Sequence, residues 1–317
     1  MKEIKLGETS FKTSAIALGI MRMNTLTPQA AAKTLKTAVE SGINYIDSAD
    51  IYGQGKSEEI FCQARKLAGI SRDQLFIQSK GGIIVSPERS HGNYVFGKRY
   101  DFSKQHLLET VDGILQRLGI DYLDSFLLHR PDPLMEPSEV AAAFDELQRT
   151  GKVRHFGVSN FNPQQIEFLQ NNLSQRLLIN QLQFSIMHTG MIDAGLHVNM
   201  QDNRSIDHDG GILEYARLKK ITIQAWSPFQ YGMFAGTFID NPKFERLNQV
   251  LAYLGQKYQV SKNAIATAWI LRHPANIQVI LGTMNPQHII DSAAGADITL
   301  SRQEWYDIYF AAGNDLP

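Results

Sequence analysis

Short apolar runs alternate with longer amphipathic ones along almost the whole chain. The runs near 15–19 (AIALG), 44–49 (NYIDSA), 75–80 (LFIQSK), 124–129 (DSFLLH), 153–160 (VRHFGVSN), 177–184 (LLINQLQF), 222–229 (TIQAWSPF) and 277–283 (IQVILGT) have the length and composition of buried strands. Between them apolar residues recur at helical spacing. Leu107, Val111, Ile114, Leu115 and Leu118 form one stripe between Ser103 and Gly119, and Val140, Phe144 and Leu147 form another between Pro137 and Gly151. Thr27-Pro28, Asn162-Pro163 and Asn285-Pro286 are cap-plus-proline starts, the second with Gln165 at the capping-box position. Further helices are expected near 57–67, 211–219, 244–258, 261–273 and 302–312. The opening IKLGETSFKTS reads as a β-hairpin.

Eight strands, each followed by a helix, predict an α/β fold of the (β/α)8 TIM-barrel class in one domain over residues 1–317, with an N-terminal hairpin and extra helices. No GxGxxG follows any strand, so the common dinucleotide fingerprint is absent.

Composition narrows the function. With 43% hydrophobic and 20% charged residues and a net charge of −1, the chain has a globular make-up and no bulk attraction for nucleic acid or anionic lipid. Cys62 is the only cysteine, which excludes an intramolecular disulfide or a multi-cysteine metal site; it reads as a small buried residue. No apolar run approaches the roughly 18 residues of a membrane helix, and no signal peptide is visible. The expectation is a cytoplasmic protein with no nucleic-acid or membrane partner. Oligomeric state is not legible.

In this barrel class chemistry sits at the C-terminal ends of the strands. The second strand ends in Asp47, with Tyr52 in the loop beyond; the third ends in Lys80 and the fourth in His129. Each alone is more often an ordinary hydrogen-bonded residue. Together at neighbouring strand ends they suit acid–base work. Lys80 is expected to pull the Tyr52 phenol below its usual value near 10, Asp47 to neutralise Lys80, and His129 to orient a substrate oxygen.

IDSADIYG, QSK, LLHRPD, GVSNF, NQLQF and AWSPF, in this order, resemble the aldo-keto reductase superfamily; HRPDPLM and GKVRHFGVSNF look like its bacterial YdhF-type oxidoreductases. The resemblance implies reduction of an aldehyde or ketone, with Asp47, Tyr52, Lys80 and His129 as catalytic tetrad and Tyr52 as general acid. It also implies an extended nicotinamide dinucleotide, NADP(H) by preference and NAD(H) as the alternative. Ser159, Asn160 and Gln181 match the carboxamide partners and Trp226 the stacking aromatic. Ser227 and Phe229 match the pyrophosphate loop; Met21, after the first strand, either lines the nicotinamide from the other side or simply packs. Around the eighth strand's end, Gly282 and His288 stand where NADPH-preferring relatives carry lysine and arginine, and Ser292 where asparagine often meets adenine. Thr283 and the helix start at Asn285 remain for phosphate. Two long loops, 83–101 and 186–210, should shape the carbonyl pocket. The second carries His188, His197, Asp202, Asp207, His208 and Asp209 at spacings that match no trusted ligand pattern, so a solvated polar lid is expected and no metal. Two other readings use the same residues: a cofactor-binding sensor on the same barrel, or a hydrolase built on Asp47 and His129.

Overall fold

A computed structural model describes residues 1–86, 98–232 and 235–317. Strands β1 (Glu3–Lys5) and β2 (Lys12–Ser14) form the expected antiparallel hairpin, Glu3 opposite Ser14. The eight expected strands follow as β3 (Ile16–Gly19), β4 (Tyr45–Asp47), β5 (Phe76–Gly81), β8 (Leu123–Leu128), β9 (Val153–Ser159), β10 (Leu177–Gln183), β11 (Thr222–Trp226) and β12 (Ile277–Leu281). Their hydrogen-bonding order is that of a closed barrel running in chain sequence, β3-β4-β5-β8-β9-β10-β11-β12. This is the TIM-barrel class read from the alternation.

The helices are α1 (Pro28–Glu40), α2 (Lys56–Leu67), α3 (Lys104–Leu118), α4 (Pro137–Arg149), α5 (Pro163–Gln170), α6 (Gly190–Leu196), α7 (Ile212–Lys219), α8 (Glu245–Tyr258), α9 (Lys262–Arg272), α10 (Pro286–Ala293) and α11 (Arg302–Ala311). Their limits follow the sequence punctuation. The Ser103 hydroxyl accepts the His106 N–H at 3.3 Å to start α3, and Gly119, in the left-handed region at φ 61°, ends it. Asn162 and Gln165 form the capping box of α5. The apolar stripes face inward: Leu107, Val111, Ile114 and Leu118 are fully buried, and Phe144 of α4 stacks on Phe156 of β9 at 4.0 Å between centroids. Truncating a buried ring of this kind to alanine typically costs about 3–5 kcal/mol.

Contacts group the chain into two compact units. One comprises Gly19–Lys36 and Asn44–Asn180; the other comprises Met1–Leu18, Thr37–Ile43 and Gln181–Pro317.

Three local features differ from expectation. The long loop at 83–101 contains a second hairpin, β6 (Ile83–Val85) paired antiparallel with β7 (Lys98–Tyr100); residues 87–97, with Gly92 and Gly97, lie outside the described residues. Segment 186–210 is not simply a solvated lid. It contains α6 and a 3-10 turn at Asn203–Ser205. It is clasped to the C-terminal tail through Arg204, whose guanidinium donates to Asp193 at 3.1 Å, Asn314 at 2.8 Å and the Gly313 carbonyl at 2.9 Å. Tyr309 donates to the same Asp193 at 2.6 Å. Met191 is buried there and Met200 exposed. Finally, Cys62 is only half-buried. It lies so close to Gly119 that a β-carbon on the glycine would fall 2.7 Å from its sulfur.

Candidate active site

The acid–base residues all belong to the Gly19–Lys36 and Asn44–Asn180 unit. Strands β4, β5 and β8 are adjacent and parallel, with Asp47 opposite Gln78 and Lys80 opposite Leu127. Gln78 and Lys80, two apart on β5, share one face of the strand. Both reach Asp47: Gln78 Nε2 donates to its Oδ1 at 2.7 Å and Lys80 Nζ to the same oxygen at 2.6 Å. Lys80 Nζ also donates to the Ser48 carbonyl at 2.7 Å. Its side chain has no solvent exposure and that of Asp47 is 3% exposed. Burial alone would strip the lysine of its charge. The Asp47 carboxylate, with the Tyr52 side chain beside it, outweighs that, and the lysine pKa is raised.

Tyr52 lies in the turn after β4, its amide donating to the Ala49 carbonyl at 3.1 Å. Its ring centroid is 5.1 Å from Lys80 Nζ, and the His129 ring stands edge-on to it at 6.1 Å and 80°. The sequence-based expectation for the phenol is overturned. Burial raises its pKa above 10; Lys80 pulls it down, but Asp47 and Asp50 push it up again, and the net shift is upward. Tyr52 is therefore protonated at neutral pH and suited to giving a proton. His129, just beyond β8, moves the other way. Burial, then the charges of Lys80, Arg130 and Lys98, hold it well below its ordinary value, so it is a neutral imidazole. Its Nδ1 is buried without a hydrogen-bond partner among the described residues.

One titratable group went unremarked in the sequence. Asp50, three residues after Asp47 in the same IDSADIYG stretch, has a buried Oδ1 with no partner among the described residues. Burial and then the Glu58 carboxylate raise its pKa to about 7. A carboxyl whose folded value is raised favours folding below its unfolded pKa near 4 and loses that contribution as pH rises through about 7. Asp50→Asn is thus expected to melt above wild type at pH 8, by up to about 4 kcal/mol in stability, with the gap closing toward pH 4. Melting temperatures across that range check it; a gap independent of pH would refute it.

The residues matched to a cofactor divide between the units. In the first, Ser159 ends β9 and Asn160 follows at φ 61°, its amide donating to Ser159 Oγ at 2.7 Å. Met21 opens a 3-10 turn after β3, and its carbonyl accepts from Ser57 Oγ at 3.1 Å. In the second, Gln181 of β10 donates to Gln224 at 3.0 Å, and Gln224 to Gln278 at 2.8 Å. Trp226 ends β11 half-exposed, Ser227 follows at φ 52° with its hydroxyl donating to Gln230 at 3.3 Å, and Phe229 is half-buried. Thr283 Oγ1 accepts the Asn285 N–H at 3.2 Å, and His288 is exposed in the first turn of α10. Pro286 has no N–H, and that of Gln287 is taken by the Asn285 side chain at 2.9 Å, so the first turn of α10 offers less to a phosphate than its cap suggests. Ser292 is fully buried, its hydroxyl donating to the His288 carbonyl at 2.7 Å.

Among the described residues no helix is long and apolar enough to cross a membrane, and no three His, Cys, Asp or Glu gather as a metal site. In segment 186–210 these side chains serve the fold. His197 Nδ1 pairs with Asp202 at 2.9 Å, and Asp207 accepts the Asp209 and Gly210 N–H groups.

Residues 15–309 match the sequence profile of the Aldo/keto reductase family. The chain is 32% identical to a 6-dehydroglucose reductase of Agrobacterium fabrum, over 98% of each chain. It is also 32% identical to Oxidoreductase YdhF of Escherichia coli, over 88% of this chain and 86% of that one. An NADH-specific methylglyoxal reductase of Escherichia coli is 30% identical over 95% of each. Among solved structures, an aldo/keto reductase from Klebsiella pneumoniae in complex with NADP and acetate shares the fold, with a TM-score of 0.73 at 23% identity over 97% of this chain and 94% of that one. On this profile match and these full-length likenesses, the chain belongs to the aldo/keto reductase family and is an oxidoreductase.

Proposed function

We propose that this protein reduces a small aldehyde or ketone to the alcohol with a nicotinamide dinucleotide, and that Tyr52 passes the proton. The observation that carries the reading is the protonated Tyr52 ring set 5.1 Å from the buried Lys80 ammonium and edge-on to a neutral His129. The bound cofactor supplies the hydride. The protein's own groups do the rest. His129, as a neutral imidazole, donates a hydrogen bond to the carbonyl oxygen and orients it. Tyr52 gives its hydroxyl proton to that oxygen as negative charge develops there. The phenolate left behind is stabilised by Lys80, which Asp47 and the Ser48 carbonyl hold charged in place. In the reverse direction the phenolate takes the alcohol's proton.

The residues present suit such a cofactor chemically. Trp226 offers a flat apolar face, Ser159 and Asn160 a hydroxyl and an amide, and Ser227 and Phe229 a backbone turn in which Ser227 lies in the left-handed region. Met21 adds an apolar flank. Thr283 accepts from Asn285 and so keeps its own hydroxyl proton to give to a phosphate oxygen. NADP(H) is the preferred form by family habit and NAD(H) the alternative, since neither Gly282 nor His288 brings a permanent positive charge. The test is a titration of the protein's tryptophan fluorescence with NADPH and with NADH, followed by a panel of aldehydes and ketones. Tighter NADPH and turnover are expected. Tighter NADH would reverse the cofactor choice, and tight binding without turnover on any carbonyl would point to the sensor reading instead.

A further inference from the structure

Helix α2 begins with two acids, Glu58 and Glu59. Glu59 is exposed and pairs with Lys56 at 3.0 Å. Glu58 is fully buried and points the other way. Its Oε1 accepts from Ser48 Oγ at 3.2 Å and from Ser79 Oγ at 2.9 Å, and its Oε2 accepts from Arg117 Nε at 2.8 Å.

The two serines are the immediate chain neighbours of the buried pair. Ser48 follows Asp47, and Ser79 precedes Lys80. Successive strand residues face opposite ways. Asp47 and Lys80 meet on one side of the sheet, while Ser48 and Ser79 meet a single carboxylate on the other. Ser48 is bound twice over: its hydroxyl goes to Glu58, and its carbonyl takes a hydrogen bond from Lys80 Nζ at 2.7 Å. Arg117 of α3 reaches this carboxylate across Gly55, at φ 86° the cap of α2. A β-carbon on Gly55 would lie 2.6 Å from Arg117 Cδ, so any other residue there would have to push the arginine aside, and the positive φ itself favours glycine.

We infer that Glu58 is a positioning residue of the reaction, one carboxylate that staples the ends of β4 and β5 from behind and thereby sets where the Lys80 ammonium stands relative to Tyr52. The inference rests on the role proposed above for Lys80 and Tyr52. A carboxylate accepts from all three donors at once. Glutamine has a single acceptor oxygen, so in Glu58→Gln at least one of Arg117, Ser48 and Ser79 loses its acceptor. The Ser48 carbonyl then drifts, and Lys80 loses the anchor that holds it from the β4 side beside Asp47. Small displacements of catalytic groups are costly to the chemical step and not to binding.

Two readouts test this on the full chain. In steady-state reduction with NADPH, Glu58→Gln should lose about tenfold to hundredfold in kcat with both KM values nearly unchanged. Independently of turnover, acetic anhydride labelling read by mass spectrometry should leave Lys80 unmodified in the wild type and modify it in the variant, at a temperature where both are folded. If either readout stays at its wild-type value in a folded Glu58→Gln, the inference is overturned. If that variant does not fold, Ser48→Ala and Ser79→Ala are read in the same way, and wild-type values in both overturn it. A wild type inactive on every carbonyl would sink the proposed function alone; the labelling of Lys80 would still decide the role of Glu58.

Discussion

Tyr52→Phe is expected to lower carbonyl reduction by about 10²–10⁴-fold while leaving NADPH binding intact, the range typical for loss of a general acid. Phenylalanine keeps the ring that faces His129 and Lys80 and deletes only the hydroxyl. The loss should therefore fall on kcat. It should also be insensitive to pH across the neutral range, because the wild-type phenol lies above 10 and stays protonated there. Stopped-flow reduction of a good panel substrate, beside a fluorescence titration with NADPH, separates chemistry from binding. A rate close to wild type would falsify the assignment of Tyr52 as proton donor.

The second large effect is expected at the buried pair. Lys80→Met leaves the Asp47 carboxylate with Gln78 as donor but without its cation, and Asp47→Asn leaves a buried ammonium without its anion. Breaking a buried pair from one side costs roughly 3–5 kcal/mol, most of it from the charge left behind. Both single variants should unfold at markedly lower denaturant. The double variant should recover much of that stability, because no charge is stranded, yet regain no activity, because the phenolate has lost its ammonium. Such a result would separate the structural and chemical roles of the pair. Additive losses, with the double variant less stable than either single one, would mean the two charges are not coupled. The wild-type contribution has a defined pH window. With the lysine value raised, it is fully present below about pH 10 and is lost only as pH climbs through the folded value.

The sequence shows these strand ends because the barrel's punctuation is local. Ser103, Gly119, Asn162 and Gln165 each act on their own few residues, and Asp47, Lys80 and His129 follow from where the strands stop. What it hides depends on burial from a distance. Lys80 beside Tyr52 suggests a lowered phenol pKa, and only the surroundings reveal that desolvation exceeds the pull of the ammonium. Glu58 and Glu59 look alike in the chain, as first-turn acids of a helix, but one is solvated and the other is enclosed by two strands and an arginine. Strand β7 reads KRY and is exposed throughout, so no alternation marks it. Segment 186–210 is polar, and polarity reads as solvation. Its fastening is a polar one, Arg204 into Asp193 and the tail, which a search for apolar stripes passes over.

The division of the chain also bears on how such a protein diversifies. Asp47, Asp50, Tyr52, Glu58, Lys80 and His129 are inherited together on one unit, while the Arg204-clasped segment is built entirely within the other. The segment carries its own fastening, Arg204 into Asp193 and the tail, so substitutions there leave in place the hydrogen bonds that hold Lys80 to Asp47 and to the Ser48 carbonyl.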